Sequence, residues 1–358
     1  MSEFRFELRV CRWAERAWPP GERDGPVVVV ARQLGSRHRR WDTVVVECDP
    51  EGLRARAAFG PAALDSDLLH VVRDAPAEWT WYRDALPEPD YPWRYVREAI
   101  DRAADRDAVQ RRTRSNRVEI RRVRPYPDWV RRVVAVENKP DLDAAAARDL
   151  RPQLEYDVAL GLADEVWVAT RATAERVEPV LLEDLPVEAG VLVVDDRSVS
   201  GDDPTTDARP PRPTADVVWH PRTLDPDETG TRVLERPDGG TRDRSAARFE
   251  YLPPAAKDER RLVVAERAYE RGWRSYVETM RPDCRQFRLR GEGTALLPYC
   301  EAKCRGQTAA ECAGSCPQFE PEPPAWRARG APVEGGPGAA QRRLLERRRR
   351  RRRPGVEE

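Results

Sequence analysis

Lysine is almost missing from this chain: of 63 basic residues, only Lys139, Lys257 and Lys303 are lysines. Where arginine supplies nearly all positive charge, each lysine position asks for its own explanation. Long apolar runs are also lacking, and none approaches the roughly 20 residues that cross a bilayer, which excludes a membrane-spanning helix. The N-terminus, MSEFRFELRVCRWAERAW, carries a charge every two or three residues and has no continuous apolar segment. It therefore lacks the pattern of a secretory signal and points to a cytoplasmic address. Net charge is zero, with 63 basic and 63 acidic residues, but by cancellation. From Arg342 onward nine Arg stand against three Glu, about +6, so residues 1–341 carry about −6.

What is present bounds the rest. A chain of 358 residues with mean hydropathy −0.76, 40% hydrophobic and 35% charged, predicts modest cores, a heavily charged surface and two domains plus appendages. The 33 Pro and 21 Gly predict many loops. Of seven Cys, Cys11 and Cys48 stand alone and five fall between 284 and 316. In a cytoplasmic chain such a cluster suggests metal before disulfides.

Along the chain, residues 4–18 predict an amphipathic helix ended by Pro19-Pro20. Two β-branched strands follow, Val27–Arg32 and Trp41–Cys48, separated by the basic turn GSRHRR. Residues 51–76 are expected as a connector. Residues 77–123 then give helix, helix and two short strands around a Ser-Asn turn, the outline of a winged helix. The strand Trp129–Asn138 leads to a helix over Asp143–Ala163, the strand Glu165–Thr170, a helix from Ala172 and the strand Gly190–Asp195. Strands alternating with helices imply parallel pairing and an α/β sheet covered on its faces. Residues 199–215 have linker composition, 216–320 hold one helix at about 256–280 plus the Cys cluster, and the segment from about 321 is expected to be disordered.

The chemistry concentrates at VVAVENK. Side chains alternate along a strand, so Glu137 and Lys139 point to one side and Asn138 to the other. Asp42 opens the earlier strand WDTVVVEC. If the two strands are neighbours, Asp42 and Glu137 converge on one hard cation such as Mg²⁺ (or Mn²⁺), with Lys139 beside it. Asp128, in YPDW, is the alternative ligand, but it sits in a Pro-rich loop rather than at the start of an apolar strand. The bland alternative is a solvent-exposed Glu-x-Lys pair worth at most ~1 kcal/mol.

Asp followed by Glu-x-Lys on adjacent strands resembles the PD-(D/E)XK nuclease superfamily, which includes restriction endonucleases, Holliday-junction resolvases and RecB-like nucleases. The whole chain is also similar to a family of halophilic-archaeal proteins of unassigned activity. The nuclease resemblance covers about residues 1–200 without the insert. It implies an α/β fold with a mixed sheet flanked by helices, divided as 1–76 and 125–198 around the winged-helix-like insert at 77–124; composition adds a linker at 199–215, a C-terminal region with the Cys-rich module at 216–320 and a disordered basic tail at 321–358. The resemblance also carries over Glu7 as the acid of the first helix and Gln153 as the polar residue of the later helix. Asp42 and Glu137 are 95 residues apart, which exceeds the family's usual short connection, and the insert must account for the difference. The implied activity is metal-dependent hydrolysis of DNA phosphodiesters in repair, recombination or restriction. A non-catalytic DNA-binding protein on an inactive scaffold of this kind is the alternative, and a structural Zn module attached to an α/β domain is a third reading.

RRTRSNR and RRVR put many guanidinium groups on or near a hairpin, which can track DNA phosphates or simply form a solvated surface. Cys300-x3-Cys304-x7-Cys312-x3-Cys316 suits tetrahedral Zn²⁺. A 4Fe–4S cluster, with Cys11 or Cys284 as an outlying ligand as in some RecB-like relatives, and no metal at all are the competing readings. His38, His70 and His220 show no ligand spacing. Seven consecutive Arg at 347–353 suit a non-specific polyanion-binding tail. Oligomeric state is not legible.

Overall fold

The computed structural model describes residues 3–21, 25–36, 39–171, 184–194, 215–235, 248–273, 286–292, 295–306 and 316–318. The valine-rich runs that favour pleated, buried surface form the middle of a six-stranded sheet. β1 (Val27–Ser36) and β2 (Arg39–Cys48) form a long hairpin, paired from Val27↔Cys48 to Ser36↔Arg39. β6 (Val130–Asn138) joins β2 antiparallel, then β7 (Glu165–Thr170) and β8 (Gly190–Val194) add in parallel, and β9 (Ala215–Trp219) closes the edge antiparallel. The sheet is therefore mixed: the parallel pairing that alternating strands and helices predict holds only for β6, β7 and β8, and the β1–β2, β2–β6 and β8–β9 pairs are antiparallel.

Both faces are covered. On one, α1 (Glu3–Ala17) buries Phe4, Phe6, Val10 and Trp13 against Val30, Val45, Val134 and Val136. On the other, α6 (Ala144–Leu160) and α7 (Pro254–Arg271) pack Leu150, Leu154, Val264 and Ala268 against Val44, Val46, Val133 and Val168. Each fully buried valine or leucine contributes about 1.5–3 kcal/mol. α6 is punctuated at both ends: Asp143 accepts a hydrogen bond from the Ala146 N–H (2.8 Å), and Gly161 closes the helix in the left-handed region, φ 59°.

Between β2 and β6 the chain builds a second core. α2 (Pro50–Ala57) and α3 (Ser66–Asp74) are followed by β3 (Thr80–Trp81), the single turn α4 (Tyr82–Ala85), α5 (Trp93–Asp105) and the hairpin β4 (Val109–Arg114) and β5 (Arg117–Arg122). The small sheet runs β3-β5-β4. α5 buries Val96, Ala99, Ile100 and Ala103, a stripe at helical spacing, against α3 and Ile120.

Several expectations change here. The first helix of the insert is α3, within the segment expected as a connector. Residues 77–86, expected as a helix, give instead a strand and one helical turn, because Thr80 and Trp81 pair with Ile120 and Glu119. Gly35, Ser36, Arg39 and Arg40, expected in the basic turn, belong to the ladder. The late helix spans 254–271 rather than 256–280. Unforeseen strands are β9, β10 (Gly230–Glu235) with β11 (Arg248–Leu252), and β12 (Phe287–Glu292), β13 (Ala295–Cys300) and β14 (Arg305–Gly306). The helix expected from Ala172, residues 199–214 of the linker, Cys284, Cys312 and the tail lie outside the described residues. Among the described residues no helix is long and apolar enough to cross a membrane.

Candidate active site

The register of β2 against β6 positions the carboxylates. Thr43 pairs with Val136, so the next step along the antiparallel ladder sets Asp42 opposite Glu137. Val44, Val46, Val133 and Ala135 lie in the α6/α7 core. By alternation, Asp42 and Glu137 face that side too. Asn138 points the other way, fully buried, its amide donating to Thr43 Oγ1 at 2.9 Å. Asp128, nine residues before Glu137, lies at the opposite end of β6, about 30 Å away at ~3.3 Å per residue. Asp42 is thus the acid that meets Glu137.

A chain of polar contacts runs through the site. Asp42 accepts from the Asn138 backbone N–H at Oδ2 (3.0 Å) and from Gln33 Nε2 at Oδ1 (3.0 Å). The same Gln33 nitrogen donates to Glu7 Oε1 at 3.0 Å, and Glu7 is held from its other side by Arg32 (Nη2 to Oε2 2.8 Å). Arg39 donates to Glu137 Oε2 at 3.0 Å and clasps the buried Asp157 of α6 through two nitrogens, both at 2.8 Å. Lys139 follows at the strand end, with its ammonium 3.1 Å from Glu3 Oε1. That pair is largely exposed, worth at most ~1 kcal/mol, and is easily released.

The electrostatics are those of crowded acids. Burial, then the neighbouring Asp42 charge, pushes Glu137 up to about 7 against the opposing pull of Arg39 and Gln153. Glu7 is also raised, by burial more than Arg32 and Gln33 lower it. Burial pulls Lys139 down, but Glu3, Glu137 and Asp42 outweigh it and hold the ammonium above the ordinary lysine value.

The structure thus brings Asp42, Glu137, Lys139, Gln153 and Glu7 into one electrostatic neighbourhood. Three further members were not foreseen. Gln33 adopts φ 52° in the middle of β1, a left-handed backbone that is costly for a side chain of its size and is often kept at functional sites. A signal existed, since Arg32 and Gln33 interrupt the apolar run Val27–Leu34. Asp157 stands four residues after Gln153 and so on the same helix face. Arg39 has no distinguishing mark among so many arginines.

Of the other lysines, Lys257 is buried and donates to the carbonyls of Asp225 (3.0 Å) and Glu228 (2.8 Å). It borders a cavity of about 240 Å³ shared with Gly161 and Arg222, away from the Asp42–Glu137 pair. Cys300 is buried at the end of β13, Cys304 is exposed in the turn that follows and Cys316 is half-buried. Among the described residues no three His, Cys, Asp or Glu are grouped so as to hold a metal ion.

No curated protein and no solved structure matches this chain. Residues 29–321 match the model of DUF5787, a family of unknown function. That stretch covers well over half of the sequence, takes in Asp42, Glu137, Lys139 and Gln153, and places the chain in the DUF5787 family.

Proposed function

We propose that this chain is a Mg²⁺-dependent deoxyribonuclease of repair, recombination or restriction type, built on a core that resembles the PD-(D/E)XK nucleases. The observation that carries this is the meeting of Asp42 and Glu137 across neighbouring strands with Lys139 two residues on. The order of helix, hairpin, Glu-x-Lys strand, helix and parallel strand supports it. The pairing of α3 and α5 with the β4–β5 hairpin supports a winged-helix-like insert.

The donors suit a divalent cation. Two carboxylates that repel each other strongly enough to help raise Glu137 to about 7 are relieved by a +2 charge between them. Mg²⁺ commonly takes only one or two carboxylates and completes its shell with water and phosphate oxygens. Held by Asp42 and Glu137, the ion would supply Lewis acidity and acidify a water molecule. Lys139 would offset the negative charge that builds on the phosphate oxygens. Gln153 and Arg39 fix the Glu137 carboxylate, and Gln33 fixes Asp42 relative to Glu7.

The alternative, a non-catalytic DNA-binding protein, is favoured by two contacts: Arg39 already pairs with Glu137, and Glu3 engages Lys139. Titration of Mg²⁺ and Mn²⁺ with a panel of labelled DNA structures separates the two. We expect cleavage by the wild type and its loss in Glu137→Ala and Lys139→Ala, with DNA affinity nearly unchanged. Equal cleavage in all three proteins, or binding with no cleavage under any metal, overturns the hydrolytic reading.

A structural Zn²⁺ or 4Fe–4S centre at Cys300, Cys304, Cys312 and Cys316 is a second element of the proposal. It is supported by the β13–β14 turn, where Cys304 adopts φ 52° three residues beyond Glu301, and by the small apolar content of the segment, which metal ligation would offset. Elemental analysis of the purified chain decides it.

A further inference from the structure

The small sheet β3-β5-β4 has two unlike faces. Cross-strand partners share a face, and Arg111 is paired with Ile120, Arg112 with Glu119. Ile120 is buried against α5, and Arg111 on that side reaches Asp101 of α5 at 2.8 Å. The other face therefore carries Arg112, Arg114, Arg117 and Arg121, with Glu119 as the acid between them.

Two tryptophans order this face. The guanidinium carbons of Arg112 and Arg121 lie 4.3 and 4.8 Å from the Trp79 ring centroid, and that of Arg117 lies 4.7 Å from the Trp81 centroid. Stacking on an indole fixes the plane of a guanidinium while leaving its N–H edge free to donate. Glu119 takes Arg112 at 2.6 Å and Gln110 takes Arg121 at 2.7 Å, which leaves Arg114 and Arg117 without an acidic partner among the described residues. These two are directly opposite each other in the ladder. Like charges at such a position are destabilising by themselves, and a polyanion laid across them removes the repulsion.

We infer that this Arg/Trp face is a nucleic-acid docking surface that grips phosphates without regard to sequence. The inference rests on the proposed function for the identity of the polyanion, and it moves the contact from the hairpin as a whole to one face of it. Arg117 and Arg121 are held by ring contacts as pre-aimed phosphate donors with Arg114 beside them, and Arg112 is tied to Glu119, whereas Arg111 and Arg122 belong to the opposite face.

The test is fluorescence anisotropy with a labelled single-stranded 30-mer and its duplex. It uses the full chain in EDTA, so that binding is read apart from hydrolysis, over a range of salt concentrations. Arg114→Gln/Arg117→Gln/Arg121→Gln should weaken binding at least tenfold and lower the slope of log K against log salt by about two to three, roughly one for each phosphate that is no longer neutralised. Arg111→Gln/Arg122→Gln, which removes two arginines from the other face, should change affinity less than twofold. Arg117→Glu alone, at an exposed position outside the ion pairs of this face, should cut the slope by at least one and serves if the triple variant does not fold. Equal effects of the two sets, an unchanged slope, or no binding by the wild type overturns the inference. If cleavage stays dependent on Glu137 while the face variants bind normally, only this inference falls. If the face binds as described but no metal supports cleavage, only the hydrolytic reading falls.

Discussion

Glu137 has three unlike neighbours: the Asp42 carboxylate that opposes its ionisation, and the Arg39 guanidinium and Gln153 amide that favour it. Burial and Asp42 win, and the consequence is a pH dependence of stability in the metal-free protein. The folded state holds the proton up to about 7, against the ordinary 4.5. Between those values the folded chain binds more protons than the unfolded one, so stability falls as pH rises, by roughly 3 kcal/mol over the window. Glu7 and Asp157 are raised as well and add slope of the same sign, so the useful quantity is a difference. In EDTA, Glu137→Gln should match the wild type near pH 5 and melt several degrees higher at pH 8. A gap that does not change with pH would mean that Glu137 is already ionised at pH 5.

At the scale of elements, α7 is a wall shared by the main core and the insert. Its Glu266 is fully buried and accepts from Arg56 of α2, from Tyr126 Oη (2.6 Å) and from the Leu64 N–H (2.9 Å). The Arg56 guanidinium spends its remaining donors on the carbonyls of Gly60 (3.0 Å) and Ala62 (2.9 Å) and covers the Tyr269 ring at 4.5 Å. Removing one partner strands the other charge, so Glu266→Ala should cost about 3–5 kcal/mol in urea denaturation. Arg56→Met/Glu266→Leu should cost less than the two single changes added together, and an additive double variant would refute the coupling.

This linkage also shows where sequence pattern stops. The strands around Asp42 and Glu137 were legible because valine runs and alternation are local, and the helix at 143–163 because its caps are local. The contact of Arg56 with Glu266 spans 210 residues, and nothing near either residue announces it. Thr80 and Trp81 read as helix from their flanks and form a strand because β5 offers a ladder. At the site, the pair Asp42 and Glu137 could be anticipated from type and position, and Asp128 could be set aside only once β6 was seen to separate it from Glu137. Gln33 needed a backbone distortion, and Arg39 a hairpin extension, that the sequence leaves open.

Across the whole molecule, an acidic body of about −6 carries a basic C-terminal tail of about +6, and the family match ends at residue 321, before that tail. On the proposed reading, sequence-independent affinity for polyanions would have two sources, the tail and the Arg/Trp face, and hydrolysis one, the meeting point of β2 and β6. The claim that Asp42 and Glu137 hold the catalytic cation there is reached most directly by the initial rate of cleavage of a labelled oligonucleotide as a function of Mg²⁺ concentration, compared for wild type, Asp42→Asn and Asp128→Asn. The account predicts that Asp128→Asn follows the wild-type curve while Asp42→Asn needs at least tenfold more Mg²⁺ or loses activity. Indistinguishable curves for the two variants, or a wild-type rate independent of Mg²⁺, would contradict it.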